Sequence, residues 1–278
     1  VVDKMKKYLV SCATKEFLKK QKVLNESALK FGIDEVFSYT DEMIEETEFY
    51  RNNLKILHDQ KKAPGYGYSI WKPYIILEVM EKIMEGDILF YVDSGAEIIN
   101  DMASLVELCK NRGGILLFNA VNINKFWTKR DCFIKMNCDN EEYWNASQVM
   151  GGYQVYIKQE RSLQFLKEDL KYVQIPELVD DSPSTVSNFS GFVRHSHDQS
   201  VLSNLAVKYG IKSFRNPSQG GNHLKKKELR VKGELLNHPY SDKPDMNSDY
   251  PTIFFNKRNA GSVKIFLIKL KNKLRWLI

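Results

Sequence analysis

Several short segments of this chain carry residue types that could do chemistry. Gly86-Asp87-Ile88-Leu89-Phe90-Tyr91-Val92-Asp93-Ser94-Gly95 is an apolar run that ends in a carboxylate, a small residue and a glycine. Continuous apolarity is the pattern of a strand covered on both faces, and ligands of open α/β sheets sit just beyond the carboxyl ends of such strands. Asp93 is therefore placed to meet a ligand, or else to cap the turn that follows. Met150-Gly151-Gly152-Tyr153-Gln154-Val155-Tyr156-Ile157 is a second strand, opened by paired glycines, and His197-Asp198-Gln199-Ser200-Val201-Leu202-Ser203 heads a helical pattern in which Asp198 can serve as N-cap. Upstream, Gly65-Tyr66-Gly67-Tyr68-Ser69-Ile70-Trp71-Lys72-Pro73-Tyr74 leads into an apolar-periodic segment, with Pro73 in its first turn. Trp71 and Lys72 pair an aromatic with a cation and could contact base and phosphate, although Trp71 serves equally well in a core. Lys129-Arg130-Asp131, after Trp127, could hold donor or acceptor or form an exposed charged turn.

The elements that must position these residues read as an alternation. A strand over residues 7–13 precedes a helix capped by Thr14 and ended by Gly32, and a second strand spans 34–39. A charged helical stretch over 41–58, the glycine-rich loop at 65–69 and the Pro73 helix then lead to Asp93. Further helices are expected from 101, 162 and 198, strands at 115–118, 150–157 and 212–214, and a helix-containing surface region over 127–145. This predicts an α/β fold with a mostly parallel mixed sheet flanked by helices. Residues 180–190 read as a loop and 217–249 as an irregular polar excursion.

Composition bounds the function. A chain of 278 residues with 43% hydrophobic content can bury a full core. Its net charge of +6 favours anionic ligands or surfaces but is too diffuse to indicate nucleic acid. Cys12, Cys109, Cys132 and Cys138 lack zinc-ribbon spacing and read as reduced, buried thiols of a cytoplasmic protein. The apolar stretch after Met5-Lys6-Lys7 is too short for a signal-peptide core, and no run approaches the ~20 apolar residues of a transmembrane helix. Residues 1–261 read as one domain, followed at 262–278 by a basic amphipathic helix with Val263, Phe266, Leu267, Leu270, Leu274 and Leu277 at helical spacing. That helix could lie at the inner face of an anionic membrane or dock on its own domain.

In their order along the chain, the Asp93 strand end, the Gly151-Gly152 strand and the His197 to Ser203 segment resemble nucleotide-sugar glycosyltransferases of the GT-A fold, over roughly residues 7–245. The first resembles that family's D-x-D strand end, whose carboxylates hold a divalent cation against the donor diphosphate. The second resembles the glycine pair that lets a backbone approach the sugar closely. The third resembles both the H-D-E-S-x-L-N segment of blood-group-type and the D-Q-D-x-L-N segment of glycogenin-type transferases, which retain anomeric configuration. The resemblance implies that Asp198 binds donor-sugar hydroxyls, with His197 and Ser94 beside the donor. It places Gln199 next to the anomeric carbon and Ala13 and Thr14 against the nucleotide base. UDP is the family's default nucleotide, and a saccharide or lipid-linked glycan the expected acceptor.

One departure bears on the metal. Gly95 stands where the second acidic residue of D-x-D belongs, and Glu97 lies two residues beyond. Leu236-Asn237-His238-Pro239-Tyr240-Ser241-Asp242-Lys243-Pro244 loosely resembles the late His and Lys-Pro segment of glycogenin-type enzymes, and that resemblance implies His238 as a second ligand for Mn2+ or Mg2+ and Lys243 as a donor contact. The competing reading is metal-independent transfer, with Lys243, Lys257 or Arg258 neutralising the phosphates. Two other classes stay open. A sugar nucleotidyltransferase would also use strand-end carboxylates, although no glycine-rich phosphate loop with a basic residue occurs near residue 15. A non-catalytic glycan-binding or membrane-adaptor protein would explain the incomplete D-x-D.

Overall fold

The computed structural model describes residues 5–221, 229–231, 234–236, 250–256 and 270. The long apolar runs form a five-stranded sheet of β1 (Lys7–Ala13), β2 (Glu35–Thr40), β3 (Ile88–Val92), β5 (Ile115–Ile123) and β6 (Ser147–Ile157), in the order β2-β1-β3-β6-β5. A short strand, β4 (Ala96–Ile98), lies between β3 and β5 in sequence and belongs to a different sheet.

Successive side chains of a strand point to opposite faces, and the apolar residues of β1 and β3 divide accordingly. Tyr8, Val10, Cys12, Leu89 and Tyr91 join one buried cluster, while Leu9, Ile88, Phe90 and Val92 join the other. The first cluster is closed by the helices Trp71–Lys82, Glu160–Val173 and Asp198–Lys208, through Ile75, Ile76, Val79, Phe165, Leu166, Val201 and Leu205. The second is closed by Leu24 and Ala28 of the helix Leu18–Lys30 and by Leu105 and Cys109 of the helix Ala103–Asn111. All four cysteines are buried and unpaired, and burial pushes the Cys109 and Cys138 thiols up to about 12, so they are inert at neutral pH.

The sheet is mixed rather than mostly parallel. β1 pairs parallel with β2 and β3, whereas β6 runs antiparallel to both β3 and β5. The chain leaves β3 and crosses through the Ala103–Asn111 helix to β5, skipping one position. It then returns through the short helices Asn124–Trp127, Arg130–Lys135 and Glu141–Trp144 to fill that position in the reverse direction, which an antiparallel pair permits without a crossover helix. The 41–58 stretch is three short helices, because Thr40 and Thr47 each cap a new start by accepting from Met43 N and Tyr50 N.

β4 pairs antiparallel with β9 (Phe254–Asn256), and β7 (Leu229–Val231) pairs with β8 (Glu234–Leu236) inside the segment expected to be irregular. His238, Lys243, Lys257, Arg258 and, apart from residue 270, the amphipathic segment 262–278 lie outside the described residues. Among the described residues no helix is long and apolar enough to cross a membrane.

Candidate active site

The carboxyl ends of β1 and β3 and the middle of β6 open onto a cleft of about 660 Å³. Thr14, Trp71, Lys72, Asp93, Ser94, Gly151, Gly152, His197, Asp198 and Gln199 line it. Ala13 is the buried last residue of β1, directly before Thr14.

At the end of β3 the Tyr91 hydroxyl donates to Asp93 Oδ1 at 2.9 Å, and the Asp93 amide donates to the Gly152 carbonyl at 3.0 Å. The carboxylate is thus held against β6 at its glycine pair. A Cβ on Gly152 would lie 2.9 Å from Asp93 Oδ2, and one on Gly151 would lie 3.1 Å from Lys72 Nζ and 3.2 Å from Asp198 Oδ2. Neither glycine has a positive φ, so what the two supply is space.

The Lys72 ammonium donates to Asp198 Oδ2 at 2.8 Å and sits 5.7 Å from the centre of the Tyr91 ring. Burial pushes the Asp198 carboxyl above its usual range, and the Lys72 charge pulls it back part of the way. Gln199 is oriented at both ends of its amide. Its Oε1 accepts from the Gly151 amide at 3.3 Å, and its Nε2 donates to Gln148 Oε1 at 2.9 Å. Gln148 in turn donates to the Trp127 carbonyl at 3.2 Å.

The turn into the Asp198–Lys208 helix is sharp. His197 adopts φ 54° and ψ −127°, a backbone region a non-glycine residue enters only when its surroundings hold it there. Its Nδ1 lies 2.8 Å from the Val179 carbonyl and its ring centre 4.6 Å from that of Tyr68. Tyr68 belongs to the Gly65–Ser69 segment, whose residues all have positive φ. The Trp71 indole N–H fixes this wall of the cleft by donating to the Gly65 and Tyr66 carbonyls at 3.0 and 3.1 Å. His195 is neutral: burial lowers its pKa to about 3, its Nε2 faces the Leu178 carbonyl and its Nδ1 accepts from the Lys129 amide.

Lys129, Arg130 and Asp131 are not among the lining residues; they bind their own chain. The Lys129 ammonium is 2.6 Å from Asp180 Oδ1, and Asp131 accepts from the Thr185 amide and hydroxyl. Arg130 Nε lies 2.7 Å from Asp139 Oδ1, with the guanidinium over the Trp144 and Phe189 rings. The triplet anchors the 180–189 loop behind His195 and His197. Lining residues that sequence reasoning did not single out include Tyr66, Ser69, Asn122, Trp127, Arg194 and Asn256. Tyr66 and Ser69 lie inside the Gly65–Tyr74 run and Arg194 stands three residues before His197, and those positions are the signal that could have found them.

Asp93 and Asp198 are the carboxylates among the lining residues, and Asp198 is committed to Lys72. Among the described residues no three His, Cys, Asp or Glu side chains gather as metal ligands, and Glu97 does not line the cleft. A hard divalent cation wants several oxygen ligands. The described side chains do not by themselves fit one.

Behind the pair, on the Glu160–Val173 helix, Asp169 is buried with Oδ1 unpartnered. Burial, then the Asp198 charge, raise its carboxyl well above the usual range, with Lys72 opposing. Its raised folded-state pKa makes the native protein bind a proton that the unfolded chain releases above pH ~4. Asp169 therefore lowers stability increasingly as pH rises through that point. Asp169→Asn should raise the unfolding midpoint at pH 7.5, with the gain shrinking toward pH 4. Thermal unfolding at the two pH values checks this, and a gain that grew on acidification would contradict it.

No family profile matches the chain, and no curated protein sequence matches it. Solved structures do. An active-site glutamine-to-glutamate mutant of LgtC superposes with a TM-score of 0.50 and 10% identity, covering 98% of this chain and 100% of that one. Mouse xyloside xylosyltransferase 1 gives 0.45 and 11% over 94% and 99% of the two chains. A glycosyltransferase involved in glycosylation of the major capsid of PBCV-1 gives 0.44 and 11% over 94% and 99%. At such identities the likeness concerns architecture, and the chain has the GT-A fold of glycosyltransferases over nearly its whole length.

Proposed function

We propose that this protein is a glycosyltransferase that moves a hexose from a nucleotide-diphosphate sugar, UDP-sugars foremost, to a saccharide or lipid-linked glycan with retention of configuration. The observation that carries the reading is the convergence of Asp93, the Gly151-Gly152 gap, the Lys72–Asp198 pair and Gln199 in one cleft of a GT-A fold. LgtC was solved as an active-site glutamine mutant, and Gln199 is the glutamine among the described lining residues here.

In this reading the donor sugar lies over the glycine pair, where absent side chains leave room, and Asp198 accepts from its hydroxyls. Lys72 adds positive charge beside the diphosphate as it departs. Gln199 is neutral and its amide is already held at both ends, so it is a poor covalent nucleophile and a good dipole for an oxocarbenium-like sugar. Front-face substitution follows, in which the leaving phosphate takes the acceptor proton. Attachment of residues 262–278 to an anionic membrane on the cytoplasmic side, near a lipid-linked acceptor, belongs to the same proposal.

Thermal unfolding in the presence of UDP-, GDP-, CMP- and dTDP-sugars, each with and without Mn2+, tests this. A ligand bound only by the native state at 100 times its Kd adds about 2.7 kcal/mol. One nucleotide should raise the midpoint, and the matching sugar should then be transferred or hydrolysed. Gln199→Ala should reduce turnover by roughly 10²-fold or more, the scale of losing one preorganised dipole. Binding without any transfer or hydrolysis would favour a non-catalytic sugar-nucleotide binder, and no binding at all would sink the proposal.

A further inference from the structure

Polar contacts follow an order along β6, from the cleft floor at Gly152 and Gly151 to Gln148, which is buried beneath it. Gly152 faces Asp93, Gly151 faces Lys72 and Asp198, and Gln148, on the far side of Gln199, is bonded to Trp127. At a rise of about 3.3 Å per residue, Gln148 lies roughly 13 Å along the strand from Gly152. Under the transferase reading the diphosphate occupies the Asp93 end, so the Trp127 end is where an acceptor enters.

That end carries Arg194. It is exposed and lines the cleft with its guanidinium 5.4 Å from the centre of the Trp127 ring, and among the described residues it has no ion pair. The lysine of the lining, Lys72, is buried at the donor end of the cleft and paired with Asp198. The backbone around Arg194 is pinned on both sides, by Val193 N to the Phe126 carbonyl at 2.8 Å and by Ser196 N to the Trp127 carbonyl at 2.9 Å. Trp127 is pinned as well, its carbonyl accepting from Ser200 Oγ at 3.0 Å, while its own indole N–H is buried without a hydrogen-bond partner. A planar cation laid on an aromatic face keeps its in-plane N–H groups for a bidentate oxyanion.

We infer that the acceptor is an acidic saccharide, whose carboxylate or phosphate is bound by Arg194 over Trp127 while its hydroxyl faces the donor beside Gln199. The inference rests on the transferase reading. The acceptor oxygen bonds to the anomeric carbon as the bond from that carbon to the phosphate oxygen breaks. The hydroxyl proton goes to the departing diphosphate, and the acceptor's acidic group is unchanged.

The test is binding of methyl glucuronide, glucose 6-phosphate and methyl glucoside, followed by saturation-transfer NMR with the phosphate end already filled by the nucleoside diphosphate that shifts the unfolding midpoint. At least one charged probe should bind about tenfold or more tightly than the glucoside, consistent with a charge-assisted hydrogen-bond pair. The advantage should weaken with salt, disappear in Arg194→Ala and return in part in Arg194→Lys. Preference for the glucuronide marks a carboxylate acceptor, and preference for the 6-phosphate a phosphorylated one. Charged and neutral probes binding alike, no probe binding, or an advantage that survives Arg194→Ala would each overturn the inference while leaving the transferase reading intact. Failure of every nucleotide to bind would remove that reading, and this inference with it.

Discussion

Replacing Lys72 with methionine should cost the fold about 3–5 kcal/mol and nearly abolish turnover, the largest effect expected of any single change in the cleft. The Lys72 and Asp198 side chains are only 9% and 15% exposed, and their contact is 2.8 Å long. Removing the ammonium leaves the Asp198 carboxylate with little water, in the field of Asp93, and with Asp169 behind it. Lys72→Met/Asp198→Asn removes both charges, and a pair replaced together is often close to neutral for stability. The double variant should therefore recover most of the lost stability while staying inactive, because neither a cation for the diphosphate nor a carboxylate for the sugar hydroxyls remains. Urea unfolding of the two single variants and the double variant, beside turnover of each, reads both halves of the cycle. Near-normal turnover in Lys72→Met would remove the pair from the chemistry, and a double variant as unstable as the single would make the pair's role one of packing.

Which parts of this site were legible in the sequence follows from what each residue does. Asp93, Gly151, Gly152 and Asp198 stand at element ends or in a strand where a side chain is missing. In mid-strand local propensity would choose other residues than Gly151 and Gly152, so their types report a demand made by the site, whereas at the element ends a turn or cap would also favour Asp93 and Asp198. β3 was legible because both faces are covered and every position is apolar, and β1 because only its first residue, Lys7, and Ser11 interrupt the same pattern. The direction of β6 was not, since apolarity reports burial and is silent on which way a strand runs.

The Lys72–Asp198 contact joins residues 126 apart, and no local pattern encodes such a pairing. The same limit explains Lys129-Arg130-Asp131. A cluster of charges near an aromatic looks alike whether it binds a ligand or anchors its own loop, and only the positions of Asp180, Thr185 and Asp139 reveal the second. Gly65–Ser69 was legible as a turn. That Tyr66, Tyr68 and Ser69 join the glycines at positive φ depends on the tertiary contacts of Trp71 and His197 that hold them there.

Gly152→Ala should yield a protein that unfolds within a few degrees of the wild type and turns over on the order of 10²-fold more slowly. In an ordinary strand the change would be mildly favourable, by roughly 0.5–1 kcal/mol, since alanine loses less conformational freedom on folding. Gly152 has no positive φ to forbid a side chain. What the new methyl meets is Asp93, with Oδ2 at 2.9 Å and Cγ at 3.2 Å from the Cβ position. The carboxylate cannot swing aside freely, because Tyr91 holds Oδ1 and the Asp93 amide is tied to the Gly152 carbonyl. Asp93 would move by tenths of an ångström, and the donor would lose the close approach to β6 that the glycine allows. Gly151→Ala meets Lys72 and Asp198 at 3.1 and 3.2 Å and should be milder, because both contacts are longer than the 2.9 Å approach to Asp93 at Gly152. Thermal unfolding and turnover measured side by side decide the matter. Loss of activity with stability retained places the donor against this strand, whereas wild-type turnover in Gly152→Ala would mean that the sugar nucleotide lies elsewhere in the cleft.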